Sequence, residues 1–199
     1  GKSTLTNALV GEKVAIVSSK PQTTRNRICG VVNRGDTQFV LLDTPGLHKA
    51  RTRLGDYMVK VVRQSVADVD GVCLLVEPIA KIGAPEQALI DRIKEEQLPA
   101  VLVINKIDTV EKPQLLEVMA VYAAAHDFDA IIPLSAEKGD GLDILMEQLQ
   151  NYAAEGPQLF PEGMTSDQPE RQMMAEILRE KLLLCLDKEI PHGTAVEIT

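Results

Sequence analysis

Four short polar clusters stand out by residue type: Gly1-Lys2-Ser3-Thr4, Asp43-Thr44-Pro45-Gly46, Asn105-Lys106-Ile107-Asp108 and Ser135-Ala136-Glu137. The last three each follow an apolar run directly (FVLL, VLVI and AIIPL). The first opens a helical pattern that stops at Gly11. Glycine, lysine and a hydroxyl at a helix start suit an anion. Backbone N–H groups and the helix N-terminus cradle phosphates, Lys2 reaches the β and γ phosphates, and the Ser3 hydroxyl ligates Mg²⁺. Only the end of the G-x-x-x-x-G-K-[ST] pattern is present, so this cluster is weak by itself.

The second cluster fits the D-x-x-G pattern. Asp43, delivered to a strand end, holds Mg²⁺ through water, and the Gly46 N–H senses a γ-phosphate. An ordinary Asp-Thr-Pro-Gly turn is the bland alternative. The third cluster reads a base. The Asp108 carboxylate accepts from guanine N1–H and the N2 amino group, which adenine cannot offer. A site built on demanded hydrogen bonds discriminates by about 10⁴-fold. Asn105 contacts the base edge and ties loops together, and the Lys106 stem covers the ring face. In the fourth cluster the Ala136 N–H is placed to donate to guanine O6.

The elements that must carry these clusters are strands alternating with helices. VAIV (14–17) reads as a short strand, and ICGVVNR and TQFVLLD as a hairpin turned by Gly35-Asp36. A helix is expected over 54–66. DGVCLLVE, AVLVINK and AIIPLSA read as buried strands, with helices at 85–96, 113–125 and 142–154. Pro85 and Pro113 suit first-turn positions. The pattern predicts an α/β, doubly wound, mostly parallel sheet whose ligands lie at the strands' carboxyl ends. Residues 155–168, rich in Pro and Gly, read as a linker. An amphipathic helix follows over 169–186, with Met174, Ile177, Leu178, Leu182 and Cys185 as its apolar face.

The net charge is −8 and the pI about 5.0, which argue against a wholly basic nucleic-acid coat but leave room for a local basic patch. Aromatics are 3%, so aliphatic residues must build the core. Cys29, Cys73 and Cys185 lack metal-ligand spacing and read as reduced core residues. No apolar run approaches a membrane span.

The four clusters in this order, each at a strand end or helix start, resemble the P-loop GTPases. KPQTTRNR (20–27) resembles the first switch segment of the TrmE–Era–EngA group. LLDTPGLH, SAEKGDGLD and the tail DQPERQMMAEILREKLLLCLDKEIPHGTAVEIT resemble the Era family within it. The resemblance covers essentially the whole chain. It implies a GTPase domain over 1–154, lacking the first strand and first half of the phosphate loop. A linker (155–168) and the start of a type II KH RNA-binding domain (169–199) follow. The chain is thus expected to be a piece of something longer and, made alone, to bind GTP poorly or aggregate.

The resemblance further implies hydrolysis of GTP to GDP and phosphate, with Mg²⁺ as cofactor. Lys2, Thr23, Thr24 and Gly46 are the implied catalytic contacts, and Ser3, Thr24 and Asp43 the metal set. Thr23 fits the switch contact as well as Thr24 does. The nucleotide set is Gly1 to Thr4, Asp43 to Leu47, Asn105 to Asp108, and Ser135 to Glu137. Leu47 stands where many GTPases carry a glutamine that orients the attacking water. Backbone groups, a second water or a monovalent cation must do so instead, and slow intrinsic turnover is expected. His48 reads more simply as a turn histidine, and Arg25 and Arg27 as solvated loop residues. The implied partners are the 3′ region of 16S rRNA and the small ribosomal subunit. A monomer is expected, cytoplasmic, with a peripheral contact at the inner membrane. Two alternatives stand beside it: a guanine-nucleotide-sensing RNA-binding module with little turnover, and a related GTPase acting in tRNA modification.

Overall fold

The computed structural model describes residues 1–18, 23–24, 26–45, 69–185 and 195–198. Gly46, Leu47, His48, Arg25 and the helix expected over 54–66 lie outside them. The chain divides into two compact units: Gly1 with Val66–Gly156, and Lys2–Ser65 with Pro157–Thr199.

The first unit is a parallel α/β layer structure. Strands β3 (Val72–Val76), β4 (Ala100–Ile104) and β5 (Ala130–Pro133) pair in that order, all parallel, with Val72 opposite Ala100 and Val101 opposite Ala130. Helices α2 (Ala84–Glu96), α3 (Lys112–Ala125) and α4 (Leu142–Gln150) follow the three strands in turn. Pro85 and Pro113 sit in the first turns of α2 and α3, where a missing N–H costs nothing. Every residue of β4 is buried, so both its faces are covered, as a central parallel strand requires. Leu74, Val76, Leu102 and Ile104 pack with Ile90 and Ile93 of α2 and with Val118 and Tyr122 of α3. Burying each such aliphatic side chain contributes about 1.5–3 kcal/mol. Helix α4 ends four residues earlier than the sequence pattern suggests; its apolar face runs only to Leu149.

The second unit holds α1 (Lys2–Val10) and an antiparallel hairpin, β1 (Ile28–Arg34) with β2 (Thr37–Asp43). Gly35 at φ 59° makes the turn that Gly35-Asp36 predicts. Gly30 is required where α1 crosses β1: a Cβ there would stand 2.9 Å from Val10 Cγ2 and 3.0 Å from Thr6 Cγ2. The expected strand at 14–17 is not formed. Val14, Ala15 and Ile16 are buried, but the Val14 and Ala15 backbone is bonded mainly by side chains, with Gln168 Nε2 donating to the Val14 carbonyl. Asn7 Oδ1 accepts from the Val14 and Ala15 N–H groups, and Asn7 Nδ2 donates to the Ala15 carbonyl. An apolar run thus became a stapled loop instead of a ladder.

Residues 157–168 line the hairpin. The Val31 N–H donates to the Thr165 carbonyl at 2.8 Å, and Gln38 exchanges hydrogen bonds with the Phe160 backbone. Helix α5 (Glu170–Cys185) follows, with a face opposite to expectation. Met174 and Leu178 are 55% and 51% exposed, and Leu182 and Cys185 are exposed too. Its buried residues are Leu183 and two charged ones, Arg179 and Glu180. Cys29 is buried, whereas Cys73 is exposed like Cys185, so only one cysteine belongs to the core. Residues 195–198 carry no strand pairing among the described residues. Among the described residues no helix is long and apolar enough to cross a membrane.

Candidate functional site

The phosphate-type residues gather in the second unit. Lys2 is the first residue of α1, with Ser3 and Thr4 in the same turn. Asp43 is the last residue of β2, followed by half-buried Thr44 and buried Pro45. The Ser3 and Thr24 hydroxyls lie 2.9 Å apart. Thr23 points elsewhere: its hydroxyl is 2.6 Å from that of Ser18. Of the two threonines that the sequence left open, Thr24 is therefore the one brought to Ser3.

Asp43 is 3% exposed, and among the described residues neither carboxylate oxygen has a partner with hydrogen-bond geometry. Burial raises its pKa; the nearby Ser3 hydroxyl and the Lys2 charge pull the other way without cancelling it. Ser3 is thus close enough to act on Asp43 while remaining outside ideal bonding geometry. Lys2 is exposed, yet surrounding protein lowers its ammonium pKa, opposed by the charge of Asp43. A buried, unpaired carboxylate is costly. Beside two hydroxyls it is a set of hard oxygen donors, the kind that Mg²⁺ takes.

The base-type residues gather in the first unit, past β4 and β5. The Asn105 N–H donates to the Val76 carbonyl, extending the strand ladder by one bond. Asn105 Oδ1 accepts from the Lys106 N–H at 2.8 Å and from the Ala136 N–H at 3.0 Å. This ties the two loops together, as the sequence suggests. It also means that the Ala136 amide, expected to face a guanine O6, already has an intramolecular acceptor. Lys106 adopts φ 65° and its ammonium pairs with Glu77. Ile107 and Asp108 form a short 3₁₀ turn, Ile107–Thr109. Asp108 is exposed and accepts from the buried Ser135 hydroxyl at 2.6 Å. That bond is the main cause of a lowered Asp108 pKa, so the carboxylate remains an ionised acceptor. Glu137 is exposed. Gly141, at φ 80°, lets the chain pass the end of β5; a Cβ would stand 2.9 Å from both Leu134 Cβ and the Pro133 carbonyl.

Sequence reasoning missed two polar residues. Arg179 Nη2 donates to the Thr23 carbonyl at 2.5 Å, and Glu180 Oε1 accepts from the Val17 N–H at 2.9 Å while Oε2 pairs with Lys13. Their only sequence signal is a charged pair on the flank of an amphipathic helix.

A parallel α/β layer with these strand-end clusters defines a P-loop GTPase. The sequence model of a family described as 50S ribosome-binding GTPase matches residues 1–106. GTPase Era of Ruminiclostridium cellulolyticum is 47% identical over 199 residues, covering 100% of this chain and 67% of that protein. GTPase Era of Alkaliphilus metalliredigens is 50% identical over 197 residues, 99% of this chain and 67% of that protein. A crystal structure of Era with MgGDPNP and nucleotides 1506–1542 of 16S ribosomal RNA superposes with a TM-score of 0.90 at 36% identity, covering 96% of this chain and 65% of that one. A point variant of Aquifex aeolicus Era bound to GDP and AlF4⁻ matches equally well. The chain belongs to the Era family of GTPases, enzymes that hydrolyse GTP, and spans about two thirds of the length of these relatives.

Proposed function

We propose that this protein is a Mg²⁺-dependent guanine-nucleotide switch that binds the 3′ region of 16S rRNA and assists assembly of the small ribosomal subunit. The observation that carries the nucleotide reading is the Asp43 carboxylate, buried beside the Ser3 and Thr24 hydroxyls and without a hydrogen-bond partner among the described residues. Each unit carries one chemistry: in the second, oxygen donors and Lys2 suit phosphates and a metal, and in the first, Asp108 suits a base. Mg²⁺, when bound, neutralises charge on the phosphate oxygens. Ser3 and Thr24 would hold it directly and Asp43 through water. Lys2 binds the phosphates as a point charge. Asp108, fixed by Ser135, accepts from guanine N1–H and the N2 amino group. Asn105 holds the Lys106 and Ser135-Ala136 loops in register, and the Lys106 stem covers the ring.

The RNA reading is supported by the Era complex, which contains a 16S rRNA segment together with MgGDPNP. On this reading residues 1–154 form the GTPase domain and 169–199 begin a type II KH domain. The test is single-turnover GTP hydrolysis by the full-length protein, joined to crosslinking of bound RNA in cells. Mg²⁺-dependent hydrolysis with enrichment of the 16S 3′ region is expected. Nucleotide-dependent RNA binding without hydrolysis would favour a sensing module, and enrichment of tRNA would sink the ribosomal reading.

A further inference from the structure

Helix α5 buries a charged pair where its pattern called for apolar residues, and both charges are spent on one distant segment. Arg179 and Glu180 are 2% and 4% exposed. Buried charges are retained only when well paired, so their partners show what the helix is built to hold. Glu180 grips residues 13–17 through the Lys13 ammonium and the Val17 N–H. Arg179 grips the Thr23 carbonyl, one peptide bond before Thr24. The Asn7 clasp on Val14 and Ala15 ties the near end of this segment to α1. Residues 13–17 and Thr23 are therefore held at three points, and two of the holds come from α5.

The Arg179 pin is not saturated. Nε and Nη2 bond the Glu176 carboxylate, and Nη2 also bonds Thr23, but Nη1 has no partner among the described residues. Beside it lies a cavity of about 150 Å³ lined by Asn26, Gln168, Gln172 and Glu176. The guanidinium has room to leave and a carboxylate, Glu176, to retain it when it does. Such a contact can exist in two arrangements, which a latch requires.

We propose that Arg179 is a positioning residue for the nucleotide-linked Mg²⁺ site: through the Thr23 carbonyl it fixes Thr24 opposite Ser3, so that docking of α5 and binding of a triphosphate strengthen each other. The proposal rests on the reading of Thr24 as a metal and γ-phosphate contact. Coupling of this kind is reciprocal. Loosening α5 weakens triphosphate binding, and triphosphate binding protects α5. GDP, which lacks the γ-phosphate, takes little part.

The test measures affinities of the full-length protein for a non-hydrolysable GTP analogue and for GDP, with Mg²⁺, in Arg179→Met, Arg179→Lys and Thr24→Ala. Arg179→Met keeps the stem and removes the donor. It should weaken the GTP analogue about tenfold and change GDP less than twofold, and Arg179→Lys should recover part of the loss. Hydrogen exchange of α5 amides in the wild type should slow with the GTP analogue relative to GDP, a readout that does not depend on any variant folding. If Thr24→Ala lowers the GTP preference while Arg179→Met does not and α5 exchange is indifferent to nucleotide, the latch is wrong and the site reading stands. If Thr24→Ala leaves the preference intact, the site reading itself fails.

Discussion

The fold pays for Asp43 before any ligand arrives, and replacing it should therefore stabilise the empty protein. Its carboxylate is 3% exposed with neither oxygen hydrogen-bonded among the described residues, and burial raises its pKa. Asp43→Asn keeps the shape and removes the charge. An unsatisfied buried polar group costs about 1–3 kcal/mol, and more when charged. Asparagine leaves a neutral polar group in the same place, so the ligand-free variant should gain only the excess cost of the charge, about 1 kcal/mol, or roughly 2–4 °C in Tm for a chain of this size. The gain depends on pH. A raised folded pKa means that the penalty is absent below the ordinary value of 3.8 and grows as pH rises through the folded pKa, so the advantage should shrink on acidification. Ligand reverses the order. At a hundredfold excess over Kd, Mg²⁺ and nucleotide should stabilise the wild type by about 2.7 kcal/mol, and the variant by much less. Differential scanning calorimetry of full-length proteins, with and without Mg²⁺-GDP, measures both signs. A ligand-free variant less stable than wild type, or equal stabilisation of both by Mg²⁺-GDP, would refute the reasoning.

Other consequences are independent of that one. Glu180→Gln removes a carboxylate whose burial would raise its pKa but whose bonds from Lys13 and Val17 hold it below 4.5. The loss should be about 1.5–3 kcal/mol at neutral pH. It should vanish as pH falls below 4.5 through the lowered folded pKa, a closing gap that urea titrations at several pH values would show. Gly141→Ala forces a Cβ against Leu134 and the Pro133 carbonyl at φ 80°, and should cost about 1–3 kcal/mol in thermal melts. Ser135→Ala removes the main cause of the lowered Asp108 pKa. GTP affinity should fall severalfold at neutral pH, and its loss on acidification should begin at a higher pH than in the wild type, as measured by fluorescent-nucleotide titration.

How far the sequence revealed this protein depends on whether a residue's partner is local. Asn105 and Ser135 were legible because strand ends are where a parallel α/β sheet presents its ligands; Asp43 was legible because an apolar run marks its strand end, although that strand belongs to an antiparallel hairpin. Gly35-Asp36 was legible because its turn demands a positive φ. The VAIV run misled because hydrophobicity reports burial, which is correct for Val14, Ala15 and Ile16, but not what bonds the backbone; the side chains of Asn7, Gln168 and Glu180 do that. The face of α5 misled for the converse reason. Periodicity weighs apolar residues, whereas Arg179 and Glu180 are buried by polar partners more than 150 residues away in sequence. No local pattern encodes such a pairing. The choice between Thr23 and Thr24 was of the same kind, decided by the neighbours Ser18 and Ser3.

The central claim is that Asp108, set by Ser135, makes this a reader of guanine. Asp108→Asn in the full-length protein tests it most directly, by competition of GTP against xanthosine triphosphate for the Mg²⁺-loaded site. An amide presents a donor to the base edge where the carboxylate presented acceptors, and xanthine offers a carbonyl at the position of the guanine amino group. The variant should lose GTP affinity by several orders of magnitude, up to about 10⁴-fold, and prefer the xanthine nucleotide. GTP affinity within a few-fold of wild type, with no gain for xanthine, would contradict the account.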